Sequence, residues 1–224
     1  MRAAKMSDIR LVCFDLGGVV VRTCASSREG CARAGVPYRP EIESHEVRAR
    51  MAQAETAYEL GLCSTAEYFA RAETALDGRQ PAAEIALVHD AWILGEYHGM
   101  DRLVGVIHTA GMETACLSNT NERHWELMTA QPLRYPAFAA LGRREASHLL
   151  GLAKPNPAIY RAFEKNSGVP GGTIVFFDDR AENVAAARSV GWQAECVDPH
   201  RDTAAQATCV LRRLGLGLGE RRPI

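Results

Sequence analysis

With 224 residues, 47% hydrophobic and 24% charged, the chain has the make-up of an ordinary globular protein, with one good core and room for a second small domain. A formal net charge of −1 excludes a global field for nucleic acid or an anionic membrane surface. No apolar run approaches the roughly 18 residues of a membrane span, no apolar targeting segment opens the chain, and the cysteines spell neither a zinc site nor a disulfide framework, so a cytoplasmic, reducing location is expected.

Residues 1–7 read as a loose leader. A first strand is predicted from about Ile9 to Phe14, because Leu11-Val12-Cys13-Phe14 runs unbroken into Asp15, as in a strand buried on both faces of a parallel sheet. Gly17-Gly18 lets the backbone turn sharply and approach a ligand closely. In open parallel sheets the ligand crevice lies beyond the carboxyl ends of the strands, which puts Asp15 at its mouth. Taken alone, such an aspartate equally suits the start of a turn.

From Arg22 to about Gly99 the pattern becomes helical. One helix covers Ala49–Leu60 and stops at Gly61. Ser64-Thr65-Ala66-Glu67 is a capping box that leads an apolar stripe of Tyr68, Phe69, Ala72 and Leu76. A third helix is predicted over Ala82–Leu94, with Ile85, Val88 and Trp92 facing inward. The stretch reads as a helical insert between the first and second core strands.

Strand–helix alternation then resumes. The spacing predicts a helix over Leu103–Ala110 and a strand Thr114–Leu117 that delivers Ser118-Asn119. A loop bracketed by Pro155 and Pro157 precedes a helix over Ala158–Lys165. Thr173–Phe177 is a strand that delivers Asp178-Asp179, followed by a helix over Ala181–Val190 and a last strand over Gln193–Val197. Phe138–Ser147 is too rich in Ala and Arg for a convincing strand and reads as a distorted edge. Residues 211–224, with Gly-Leu-Gly-Leu-Gly, read as a flexible tail. The expected fold is α/β, a parallel sheet with helices on both faces.

Three strand ends thus carry chemistry to one edge: Asp15, Ser118-Asn119 and Asp178-Asp179, with Lys154 in a loop between them. Clustered carboxylates without thiolate or imidazole partners suit a hard cation such as Mg²⁺. Ser118 and Asn119 suit phosphate oxygens, and Lys154 adds a point charge. A carboxylate set against a phosphoryl group is a potential nucleophile. Singly, each has a plainer reading, as a helix cap, a turn residue or a solvated lysine; their shared position after strands speaks against coincidence.

The order Phe14-Asp15-Leu16-Gly17-Gly18-Val19-Val20, Leu117-Ser118-Asn119-Thr120-Asn121, Gly151-x-x-Lys154-Pro155 and Phe177-Asp178-Asp179-x-x-x-Asn183 resembles the four motifs of the haloacid dehalogenase-like (HAD) superfamily. The helical insert sits where the subclass I members of that superfamily carry a cap. Leu-Ser-Asn-Thr-Asn, Tyr135-Pro136 and Val175-Phe176-Phe177-Asp178-Asp179 are most similar to the bacterial α-D-glucose-1-phosphate phosphatases. The resemblance implies a Rossmann-like core over 1–21 and 100–210 and a cap over 22–99. It also implies a small phosphorylated substrate and Mg²⁺. Asp15 would be nucleophile and metal ligand, the Gly17 carbonyl and Asp179 would be further ligands, and Asp178 and Asn183 would orient metal-bound water. Ser118 and Asn119 would hold the phosphoryl group, and Lys154 would neutralise it and Asp15.

One departure stands out. Most phosphatases of the superfamily carry a second aspartate two residues after the nucleophile, as acid and base; here that position is Gly17. The loss of such help, worth about 10²–10⁴-fold, predicts a slower or choosier enzyme. A sugar 1-phosphate, whose anomeric hydroxyl is the more acidic leaving group, would suffer least. Glu55, Glu59, Glu67 and His98 are the cap candidates to replace the acid, and Tyr58 and Trp92 suit either sugar stacking or plain packing. Two alternatives stand beside the phosphatase: a weakly catalytic module that binds a phosphorylated ligand, and a metal-independent 2-haloacid dehalogenase.

Overall fold

In the computed structural model, which describes residues 9–216, the chain forms a five-stranded parallel sheet with helices on both faces and a helical unit above one edge. The expected leader and residues 217–224 lie outside the described residues. Strand β1 (Leu11–Phe14) leads through a turn to β2 (Val21–Thr23). Helices α1 (Ser27–Ala34), α2 (His45–Glu59), α3 (Thr65–Ala75) and α4 (Ala82–Ala91) follow, and β3 (Ile93–Glu96) returns beside β2. The core resumes with α5 (Met100–Thr109), β4 (Glu113–Ser118), α6 (Glu122–Ala130), α7 (Pro136–Ala140), β5 (Arg143–Ala146) and α8 (Ser147–Leu150). It closes with α9 (Pro157–Ser167), β6 (Ile174–Asp178), α10 (Ala181–Ser189), β7 (Gln193–Cys196) and α11 (Thr203–Arg213).

The strand order is β5-β4-β1-β6-β7, so β1 is central. Its four residues are fully buried, as an unbroken apolar run between two helical layers requires. Alternation divides them. Val12 and Phe14 face the layer of α5, α7 and α11, with Met100, Leu103, Ile107 and Phe138. Leu11 and Cys13 face α9 and α10, with Ile159, Tyr160, Phe163 and Val184. Phe14 pairs in register with Cys116 on one side and Phe177 on the other, and its ring stacks on that of Phe177 at 5.5 Å. All strands point the same way, so the next residues, Asp15 and Asp178, emerge together at the carboxyl edge.

The helical unit has its own small core of Val47, Ala54, Tyr58, Tyr68, Ala72, Leu76 and Ile85. The capping box at the start of α3 is complete, with Ser64 and Glu67 satisfying each other's backbone N–H groups.

Three expectations need correction. Ile93 and Leu94 belong to β3, which pairs antiparallel with β2, so the expected helix over Ala82–Leu94 ends early and the insert joins the core through a two-stranded ribbon. The doubtful region near Phe138 splits into α7 and a true edge strand, β5, in parallel register with β4. Leu211, assigned to the tail, is fully buried in the last turns of α11. Among the described residues no helix is long and apolar enough to cross a membrane.

Candidate active site at the carboxyl edge of the sheet

Asp15 leaves β1 with its backbone N–H donating to the Phe177 carbonyl at 2.8 Å. Its Oδ1 accepts the Leu16 N–H at 2.7 Å, which fixes the carboxylate over the turn. That turn is tight: the N–H groups of Val19, Val20 and Val21 all donate to the Leu16 carbonyl, and the Gly17 carbonyl accepts no backbone donor among the described residues. Gly18 takes φ +73, and a Cβ there would lie 2.7 Å from Asp179 Cγ. Gly18→Ala therefore combines left-handed strain with a clash that displaces Asp179. We expect a loss of about 1–3 kcal/mol in urea unfolding, together with weaker cation binding.

Lys154 reaches in from the loop before α9 and is fully buried, with Nζ 2.9 Å from Asp15 Oδ1 and 2.7 Å from Asp178 Oδ2. Burial opposes its charge, but the two carboxylates more than offset this and hold the ammonium above its usual range. Asp178 is saturated: it also accepts from Asn183 Nδ2 at 2.9 and 3.1 Å and from the Arg180 N–H at 2.9 Å. Burial pushes the Asp15 carboxyl up to about 6; Lys154 pulls it down, and Asp178 raises it again. Asp179 is likewise raised, first by burial and then by Asp178.

Oxygens of Asp15, Asp178 and Asp179 lie within 4.8 Å of one another. Three carboxylates around one ammonium leave negative charge uncompensated in a buried site, and the donors are all oxygen. This set fits a small divalent cation of the Mg²⁺ type.

The structure brings Asp15, Ser118, Lys154, Asp178, Asp179 and Asn183 together at this edge. Asn119 arrives there too, with its side chain on the lysine loop. Its Nδ2 donates to the Lys154 carbonyl at 2.9 Å and its Oδ1 accepts the Lys154 N–H at 2.8 Å. The side chain is therefore committed to holding the lysine loop. Among the cap candidates, Glu55 and Glu59 line a cavity of about 530 Å³ above the site, together with Gly17, Ser118, Asn119, Tyr58 and Trp92. Glu67 is spent in the capping box, and His98 opens on a separate cleft with Arg22 and Asp202.

What sequence reasoning missed is the clasp between the helical unit and the core. Arg123, at the start of α6, makes a two-point ion pair with Asp90 of α4 at 2.8 and 2.6 Å. The His89 and His124 rings stack at 3.9 Å, and His124 Nε2–H donates to the His89 carbonyl at 2.8 Å. The partners lie 33 and 35 residues apart, and no local pattern announces them. Burial holds His89 down at about 2, with His124 and Arg123 adding to the effect, and lowers His124 too. A histidine depressed on folding stabilises above its unfolded value near 6.5, and that contribution is lost as pH falls below it. Stability in urea should thus drop between pH 7 and pH 5 by up to about 1.4 kcal/mol per pH unit for His89, a slope that His89→Phe removes.

A parallel α/β core with an aspartate at the end of its central strand, a buried lysine beside it and a further acidic pair defines a Rossmann-like enzyme with its site at the carboxyl edge. The family of haloacid dehalogenase-like hydrolases matches residues 9–191, and the chain belongs to it. Among solved structures, a HAD family enzyme from Bacteroides thetaiotaomicron superposes with a TM-score of 0.75 at 19% identity, covering 90% of this chain and 99% of that one. L-2-haloacid dehalogenase from Xanthobacter autotrophicus does so with a TM-score of 0.60 at 16% identity, over 96% of this chain and 90% of that one. These likenesses show the shared fold. A curated phosphatase of Mycobacterium tuberculosis (strain CDC 1551 / Oshkosh) is 37% identical over 70 residues, 31% of this chain and 32% of the relative, so the match spans about a third of either protein.

Proposed function

We propose that the protein is a magnesium-dependent phosphomonoesterase acting on a small phosphorylated metabolite, with Asp15 as the nucleophile that carries the phosphoryl group as an aspartyl-phosphate. The observation that carries this reading is the convergence of Asp15, Lys154, Asp178 and Asp179 beside a half-open cavity that Gly17, Ser118 and Asn119 line. Asp15, Asp179 and the Gly17 carbonyl would hold Mg²⁺, with Asp178 and Asn183 behind them. Bound there, the ion would supply charge neutralisation to the phosphoryl oxygens. Ser118 and the Asn119 backbone N–H receive those oxygens, and Lys154 restrains the negative charge on them and on Asp15. Phosphoryl transfer depends chiefly on such positioning and electrostatics.

The curated relative is a phosphatase, and the Bacteroides enzyme has been solved in complex with magnesium and inorganic phosphate; both support the reading. Within it, the helical unit over 22–99 acts as a cap that selects the leaving group. A cavity of about 530 Å³ accommodates a hexose, and Trp92 on its wall suits a sugar face, whereas Tyr58 is buried against Tyr68 in the core of the helical unit. With the resemblance to the α-D-glucose-1-phosphate phosphatases, this favours a sugar phosphate. The dehalogenase reading is disfavoured because the acidic pair Asp178-Asp179 is costly without a cation. Incubation with a panel of phosphorylated sugars tests the proposal: phosphate release should require Mg²⁺ and stop in EDTA. Release indifferent to chelator, or halide release from a 2-haloacid in EDTA, would overturn it.

A further inference from the structure

We propose that Glu59, on the cap wall of the cavity, is the general acid that position 17 does not supply, and that it protonates the leaving oxygen as the phosphoryl group passes to Asp15. This rests on the phosphatase reading above. Position 17 is not closed to a side chain, since a Cβ there would meet nothing nearer than Thr23 Cγ2 at 3.9 Å. Packing therefore did not exclude an acid; the chain simply has none there.

Of the four cap-side groups named from the sequence, the structure removes two, and Glu43, which lines the same cavity, is paired with Arg48. The Glu67 carboxylate accepts from the Ser64 backbone and hydroxyl at 2.8 and 2.9 Å, and His98 opens on the other cleft. Glu55 and Glu59 remain, one helical turn apart on α2, both lining the cavity that holds Gly17, Ser118 and Asn119. Glu55 is exposed and Glu59 half-exposed, and both line the cavity. No hydrogen bond or ion pair among the described residues commits Glu59.

Their electrical surroundings separate the two. Glu59 feels the cations of Arg180, at the start of α10, and Lys154, whereas Glu55 feels only Glu59. Of the two, Glu59 is the carboxyl within electrostatic reach of Lys154. The groups that face it are Arg180, Lys154, Glu55 on its own helix and Tyr68 on α3. Burial raises its carboxyl above the ordinary range against the pull of both cations, the direction a general acid needs.

The step balances. An Asp15 oxygen bonds to phosphorus, the bond from phosphorus to the leaving oxygen breaks, and the Glu59 proton goes to that oxygen to give a neutral alcohol. Glu59, now a carboxylate, takes a proton from the water that attacks the aspartyl-phosphate. The bond between phosphorus and Asp15 breaks, inorganic phosphate leaves, and both carboxyl groups return to their starting states.

The test compares leaving groups. p-Nitrophenolate departs without a proton, while the alkoxides of hexose phosphates and glycerol phosphate need one. Glu59→Gln should lower kcat/KM on the best alkyl phosphate by about 10²–10⁴-fold and leave kcat/KM on p-nitrophenyl phosphate within a few fold, while kcat falls on both because hydrolysis of the aspartyl-phosphate loses its base. With alkyl phosphates the wild-type rate should fall as pH rises through the pKa of the acid, and the variant should lose that limb. An unchanged kcat/KM, or an equal loss of kcat/KM on both substrate types, overturns the proposal; the second result marks Glu59 as a positioning residue. Wild-type turnover of p-nitrophenyl phosphate without any alkyl phosphate also overturns it, yet leaves the phosphatase reading intact. No phosphate from either type sinks that reading itself.

Discussion

Asp15→Asn should abolish phosphate release, by about 10⁴-fold or more, while leaving the protein at least as stable as the wild type. The activity loss follows from removing the proposed attacking oxygen, which no neighbour replaces: Asp178 is saturated by Lys154, Asn183 and the Arg180 N–H. The stability result follows from charge. Asp15 is ionised at neutral pH against its surroundings, since burial and Asp178 hold its carboxyl up at about 6 even with Lys154 at 2.9 Å. A folded-state value raised above the unfolded one stabilises at low pH, and that stabilisation is gone once pH exceeds about 6. An amide of the same shape removes the repulsion at pH 7–8, and Lys154 keeps Asp178 at 2.7 Å. Urea unfolding in EDTA alongside a phosphate-release assay separates the two effects. A variant that loses activity by unfolding would show both falling together.

Such a trade, in which a functional group costs stability, is what the sequence showed most openly. Leu11–Phe14 and Ile174–Phe177 are short apolar runs that end on acids, and an acid there is conspicuous because the strand before it is buried on both faces. The core strands and the acidic edge were therefore legible from pattern alone. Lys154 was legible only through the motif around it, since nothing in Gly-Leu-Ala-Lys-Pro announces a lysine with no exposed side-chain surface. Other features were hidden for identifiable reasons. Ile93 and Leu94 continue the apolar spacing of α4, so the point where the helix gives way to β3 has no compositional mark. β5 lies at the sheet edge and carries Arg143, Arg144 and Glu145. Its charges are satisfied outside the sheet's core, with Arg143 on Glu113 at 3.1 Å and Arg144 over the Phe138 ring at 5.0 Å. The Asn119 clamp on Lys154 and the histidine stack join segments 35 residues apart, and only the folded chain brings them together.

Lys154→Met should destabilise the protein by about 3–5 kcal/mol and lower phosphate release by at least about 10²-fold. Methionine nearly fills the space of the lysine stem, so the lost packing is small and the lost charge decides the result. With the ammonium gone, Asp15 and Asp178 face each other with no cation between them, and burial denies them water. Asp15 then rises further above about 6, so the variant recovers stability as pH falls and its carboxyl takes up a proton. The gap between variant and wild type should accordingly narrow from pH 8 to pH 5. It should also narrow at pH 8 when Mg²⁺ replaces EDTA, because a bound divalent cation would neutralise the same carboxylates and stabilise the folded state by mass action. Urea unfolding at the two pH values, with and without Mg²⁺, reads both. If the gap were small and independent of pH and Mg²⁺, Lys154 would not be the counter-charge of the acidic edge, and the arrangement proposed for phosphoryl transfer would lose its central cation.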